Sequence, residues 1–306
     1  MIRRPRRTVW GGMAMRIAVV SVLALALSGC TPTADDGGGV EVRAAAENLD
    51  RPIDAAPSPD GTVIFFLQDI ATGQGLFAID SEGDTAPRQV ADGLSDATSL
   101  AISGDANAVV VADATGLTRI TADDGTMTPI AEAATYQPRG LDLIPGAAGD
   151  LVVFTGVDPT DNTPGVFEVP LAGGTVERIA TGFDPAAELD GVTVMADGTA
   201  WVTDQRGMVY QVETGSAPKT IVGDTIVGDP AGIALTLDET TVLVSSVSAS
   251  GTSQVLLIDV AAGTTSVFDD VIRANSGSGG VHRARDLATF AWCGIGAGGT
   301  VYRIDF

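Results

Sequence analysis

Asp190-Gly191-Val192-Thr193-Val194 leads into Asp197-Gly198-Thr199-Ala200-Trp201-Val202-Thr203-Asp204, and then into Gly207-Met208-Val209-Tyr210-Gln211-Val212. Each run is short, rich in β-branched and aromatic residues, and bounded by Asp-Gly or Gly. Such runs read as strands joined by tight turns. The same unit recurs along the chain. Its first strand begins at Ala55, Ser99, Gly140, Gly191, Gly232 and Gly280, 41 to 51 residues apart. A second strand follows an acidic or Gly turn, as in Val63-Ile64-Phe65-Phe66-Leu67, Val109-Val110-Val111-Ala112-Asp113 and Phe290-Ala291-Trp292. A third follows, as in Gly75-Leu76-Phe77-Ala78-Ile79 and Thr300-Val301-Tyr302-Arg303-Ile304. A fourth lies around Val90, Ile130, Ile179, Ile221 and Val267.

Four strands per unit is a propeller blade, and six units make a six-bladed, all-β propeller. The chain ends at Phe306, after the third strand of unit six. Val40-Glu41-Val42-Arg43 supplies the missing fourth strand and closes the ring. Closure removes the sheet edges on which chains aggregate. Residues 40–306 therefore read as one domain.

These repeats resemble those of the NHL and SMP-30/gluconolactonase-like six-bladed propellers. The resemblance rests on the unit-four phrases above and on Gly232-Ile233-Ala234-Leu235-Thr236-Leu237-Asp238, and it covers all six units. Lactonases of that group hold a divalent cation such as Ca²⁺ at the central channel on Glu, Asn and Asp. The resemblance points to Asp113, Asp190 and Asp204, which the repeat places at one channel mouth. Turn chemistry is the alternative role for these aspartates, since Asp favours Asx turns at strand ends. Unit five departs from the lactonase pattern, reading Ala231-Gly232 for Asn-Gly and Ser245-Ser246 for an acid. The repeat also brings Arg51, Arg139 and His282 towards the channel, as candidates to bind an anionic ligand or to pair with neighbouring acids. Three long loops, 156–165, 245–254 and 269–279, are expected on one face as contact loops.

The N-terminus has a different character. Arg16 precedes the apolar run 17–27, and Leu27-Ser28-Gly29-Cys30 follows. A basic start, a short apolar core and small residues make a secretory signal. Eleven residues are too few to cross a bilayer as a helix. Cys30 after the small pair resembles a bacterial lipobox. That resemblance implies cleavage of 1–29, a lipid on Cys30, and a flexible tether over 30–39. A plain secretory signal or an uncleaved short anchor is the alternative. A lipidated chain would sit at a bacterial membrane, either on the periplasmic face of an outer membrane or on a Gram-positive outer leaflet.

Against 39 acidic residues stand 17 basic ones, a net charge of −22, and Lys219 is the lone lysine. Five of the arginines lie within 1–29, so cleavage leaves about −27. A surface that acidic repels phosphate backbones, which argues against nucleic-acid binding. The two cysteines are Cys30 and Cys293. With Cys30 lipidated no disulfide can form, and Cys293, beside Trp292 in an apolar strand, reads as a buried thiol. His282 is the single histidine, which rules out a histidine pair. The sequence expectation is a monomeric, lipid-anchored envelope propeller that binds an unknown ligand or envelope protein. The alternative is a metal-dependent lactonase-like hydrolase.

Overall fold

The computed structural model describes residues 40–222, 229–248, 251–268, 277–295 and 298–306. The expected signal peptide, Cys30 and the expected tether lie outside the described residues, as do positions 249–250 and 269–276 of two of the long loops. No described helix is long and apolar enough to cross a membrane.

Six four-stranded antiparallel sheets form the propeller. Blades 1 to 5 run in chain order from their inner strands: β2 (Pro52–Pro57), β6 (Ser99–Ile102), β10 (Leu141–Gly146), β14 (Leu189–Val194) and β18 (Asp229–Leu235). Blade 6 starts at β22 (Gly277–Arg283), continues through β23 (Thr289–Ile295) and β24 (Gly299–Asp305), and is completed from the other end by β1 (Glu41–Leu49). Val42 pairs with Ile304 and Arg43 with Arg303, the closure expected from the sequence. Glu82 of blade 1 accepts from Arg43 Nη2 at 2.9 Å and from Arg303 Nη1 at 2.8 Å, which ties the closing blade to its neighbour.

The core is divided among the blade interfaces. In β7 (Ala108–Asp113), Val109 and Val111 pack towards blade 1. Val110 and Ala112 pack towards blade 3. In β23, Phe290 and Trp292 face blade 5, while Ala291 and Cys293 face blade 1. Period-two alternation normally separates a wet face from a dry one. Here both faces are dry, so the second strands read as unbroken apolar runs. Trp201 and Trp292 are fully buried, each stabilising the ring by roughly 2–3 kcal/mol at the usual value per area. Cys293 is buried and unpaired, and burial pushes its thiol pKa well up, so it packs as an inert apolar group.

The turns between first and second strands follow the Asp-x pattern. Asp60, Asp105, Asp197 and Asp238 each accept from the backbone N–H two residues on, at 2.8–3.1 Å. The residue after each Asp has positive φ: Gly61, Ala106, Gly198 and Glu239. Glycine takes that conformation freely, whereas a longer side chain is strained there.

Candidate functional site

Two rings of residues on the inner strands define the channel. The first consists of Asp54, Ser99, Gly140, Gly191, Gly232 and Gly280. The glycines let neighbouring inner strands touch. A Cβ on Gly140 would lie 1.9 Å from the Asp190 carbonyl oxygen, and one on Gly232 would lie 2.5 Å from Val281 N. Hydroxyls of the second strands stitch this level together. Thr155 Oγ1 donates to Asp190 O at 2.7 Å, and Ser245 Oγ to Gly279 O at 2.8 Å. Only about 10 Å³ of void remains, barely room for one water.

Asp54 stands where four other blades have glycine. Its carboxylate is 1 % exposed. It accepts from Ala55 N at 2.9 Å, from Leu100 N of blade 2 at 2.8 Å, and from His282 Nε2 of blade 6 at 3.0 Å. One side chain thereby links three blades. Gly280 makes the room, since a Cβ there would lie 1.7 Å from Asp54 Oδ1. Burial alone would lower the His282 pKa, but the Asp54 carboxylate, joined by Asp142, outweighs it and the net shift is upward.

The second ring comprises Ala56, Ala101, Asp142, Thr193, Ala234 and His282. Three of the six are alanine, and the channel widens here into a cavity of about 440 Å³. It extends to the turns between first and second strands, where Glu239, Arg283 and Arg285 line it with Ile144, Met195 and Leu235. Asp142 accepts from Leu143 N at 2.8 Å, Val194 N at 2.9 Å and Thr193 Oγ1 at 3.2 Å. Burial still raises its pKa, with these donors and His282 opposing. Arg285 of blade 6 donates to Asp150 Oδ1 of blade 3 at 3.0 Å, across the mouth between opposite blades. Gly104 leaves space for it, because a Cβ there would meet Arg285 Nη1 at 1.5 Å.

The structure separates the residues expected at one metal site. Asp204 is fully buried and accepts from Arg206 Nε at 3.0 Å, Arg206 Nη2 at 2.8 Å and the Tyr210 hydroxyl at 2.9 Å. Burial and then this carboxylate push the Tyr210 pKa up to about 12. Asp113 accepts from Thr115 N at 2.8 Å and Thr115 Oγ1 at 2.6 Å, an Asx turn. Asp190 alone faces the channel. Its carboxyl pKa is raised to about 6, first by burial, with Asp229, Asp54 and Glu188 adding and Arg139 opposing. Among the described residues no three His, Cys, Asp or Glu side chains are grouped to hold a metal ion. A hard cation needs several converging oxygens. This donor set does not fit the cation that the resemblance implies, because two of its three carboxylates are committed to their own turns.

Arg51 pairs with Asp69 at 3.2 Å and Arg139 with Glu188 at 3.4 Å, both on the face where the inner strands begin. The loop 156–165 and the described residues 245–248 and 251–254 lie on that face too, whereas the cavity extends to the opposite one. His282 is the one candidate that reaches the cavity. Asp54, Asp142, Glu239 and Arg283 were not singled out from the sequence. Their signal was a charged residue where the repeat mostly carries Gly or Ala for Asp54 and Asp142, where it carries an aliphatic residue or Pro for Arg283, and at a left-handed turn position for Glu239.

No family model matches the chain, and no curated protein sequence matches it. Solved structures do. A luciferin-regenerating enzyme superposes with a TM-score of 0.64 at 11% identity, over 88% of this chain and 96% of that one. A gluconolactonase from Xanthomonas campestris gives 0.63 at 14% identity, over 88% and 90%. An auxiliary nutrient binding protein from Bacteroides thetaiotaomicron gives 0.61 at 11% identity, over 84% and 69%. The chain is a six-bladed propeller with gluconolactonase-like structural neighbours. At these identities the likeness describes the fold, which hosts enzymes and binding modules alike.

Proposed function

We propose that this protein is a binding propeller of the cell envelope, tethered by a lipid on Cys30, which takes a small molecule into the cavity beneath the second ring. The observation that carries the reading is the cavity itself. Its volume of about 440 Å³ falls in the small-ligand range, and apolar walls meet a few placed charged groups there. The Bacteroides propeller named for nutrient binding is consistent with such a role. What supports anchoring is the basic, apolar and small-residue order that ends at Cys30.

The test is a small-molecule fragment screen by ligand-observed NMR on the wild type and on Ala101→Leu and Ala234→Leu, which fill the cavity from two blades. Fragments that bind the wild type and are lost in both variants, with melting temperatures unchanged, support the reading. Fragments unaffected by either variant, or none at all, overturn it. Ca²⁺-dependent lactone turnover would instead favour the hydrolase alternative. Labelled fatty acid entering the wild type but not Cys30→Ser tests the anchor.

A further inference from the structure

Among the charged groups that line the cavity, two of opposite sign, Arg283 and Glu239, each keep one polar atom left over. Arg283 donates through Nε to Leu235 O at 2.8 Å, and through Nη1 to Ala284 O at 2.7 Å, Arg285 O at 2.8 Å and Leu287 O at 3.3 Å. Its hydrogen-bond partners are backbone carbonyls, and Asp142, Glu239 and Asp286 act on its charge through space without bonding it. Nη2 has no acceptor among the described residues. Glu239 takes φ +56° at the turn position that is Gly61 in blade 1 and Gly198 in blade 4. Its Oε1 accepts from Ala196 N of blade 4 at 2.6 Å. Oε2 has no partner among the described residues. Arg283 and Glu239 both line this cavity without forming an ion pair with each other.

Three kinds of ligand can be weighed against this pair. A monoanion would satisfy Arg283, but it would face Glu239 and Asp142 in the same cavity and the field of a chain of net charge −22. A monocation would leave Arg283 unpaired. A molecule carrying both charges engages both groups and feels little net force from the overall field. Resting on the cavity-binding reading above, we infer that the ligand is a small zwitterion of the amino-acid or dipeptide class, its carboxylate on Arg283 and its ammonium on Glu239. Its aliphatic side chain lies against Ile144, Met195 and Leu235. With Nε and Nη1 committed to carbonyls, Nη2 is the arginine nitrogen left to donate to the carboxylate, in a charge-assisted hydrogen bond.

The experiment is calorimetric titration of the full chain with L-leucine, glycyl-L-leucine, 4-methylpentanoate and 3-methylbutylamine. These probes share one aliphatic group and differ in charge. At least one zwitterion should bind at least tenfold more tightly than either singly charged analogue. Glu239→Gln keeps the acceptor for Ala196 N and removes the charge. It should weaken the zwitterion at least tenfold and leave 4-methylpentanoate unchanged or tighter. Arg283→Gln, checked by its melting temperature, should weaken the zwitterion and 4-methylpentanoate but not the amine. Equal binding by a singly charged analogue, an unchanged zwitterion affinity in Glu239→Gln, or no binding by either zwitterion overturns the inference. The fragment screen judges the cavity reading separately, because its hits may carry any charge.

Discussion

Asp190→Asn should stabilise the protein, and only on the alkaline side. The carboxyl is half-buried at the narrow end of the channel, with Asp229, Asp54 and Glu188 adding to the effect of burial and Arg139 opposing, and its pKa rises from 3.8 to about 6. At about 1.36 kcal/mol per pKa unit, the shift is a penalty of at most about 3 kcal/mol when the group is ionised, since solvent screens a half-buried carboxylate. The sign follows from the proton. The fold binds it more tightly than the unfolded chain, so this group's contribution to stability rises as pH falls through 6 and levels off below 3.8. Above pH 7 the carboxylate is charged in both states and the full penalty applies. Asparagine has the same shape and no charge. The variant should therefore melt above the wild type at pH 8, by at most about 6 °C, taking about 2 °C per kcal/mol for a domain of this size. The difference should shrink towards zero at pH 4. Differential scanning calorimetry at half-unit pH steps measures it. A melting difference independent of pH, or a less stable variant at pH 8, would refute the reasoning.

The His282 pKa is raised in the fold, so its stabilising contribution is complete below its unfolded value near 6.5 and is lost as pH rises through the folded one. Chemical denaturation should show the stability advantage of the wild type over His282→Asn to be larger at pH 6 than at pH 8.5. Gly280→Ala forces a methyl to within 1.7 Å of Asp54 Oδ1 and should cost about 3 kcal/mol or more, because it displaces a buried, paired carboxylate. An unchanged melting temperature would contradict the close packing of the first ring. Deleting 31–38 should leave the melting temperature nearly unchanged, while deleting 31–45 removes the paired start of β1 and should lower it sharply. Equal stability of the two truncations would contradict N-terminal closure.

The fold was legible in the sequence because a repeat states it six times. Gly140, Gly191, Gly232 and Gly280 marked the unit, and the structure gives their reason: inner strands too close for a Cβ. The strand Val40-Glu41-Val42-Arg43 was legible by arithmetic, as the one strand missing from unit six. The site was less legible, because the repeat aligns positions within blades and says little about what meets across the axis. Asp204 was singled out for its place at a strand end, yet its charge is spent on Arg206 two residues away. Asp54 looked ordinary among many aspartates until its partners, Leu100 N and His282, came from blades on either side. His282 could be placed near the channel, but its carboxylate partner is 228 residues distant in sequence.

The Arg285–Asp150 pair joins blades that face each other across the ring. Every blade already has two neighbours to pack on, so the pair is not needed to hold the circle together. It is partly exposed, and such a pair is worth about 1 kcal/mol or less. Its consequence is for time rather than for depth. If the pair has to open for a molecule to pass, it slows arrival and departure by the same factor. Residence time would then depend on salt, which loosens the pair, while the equilibrium occupancy would scarcely change.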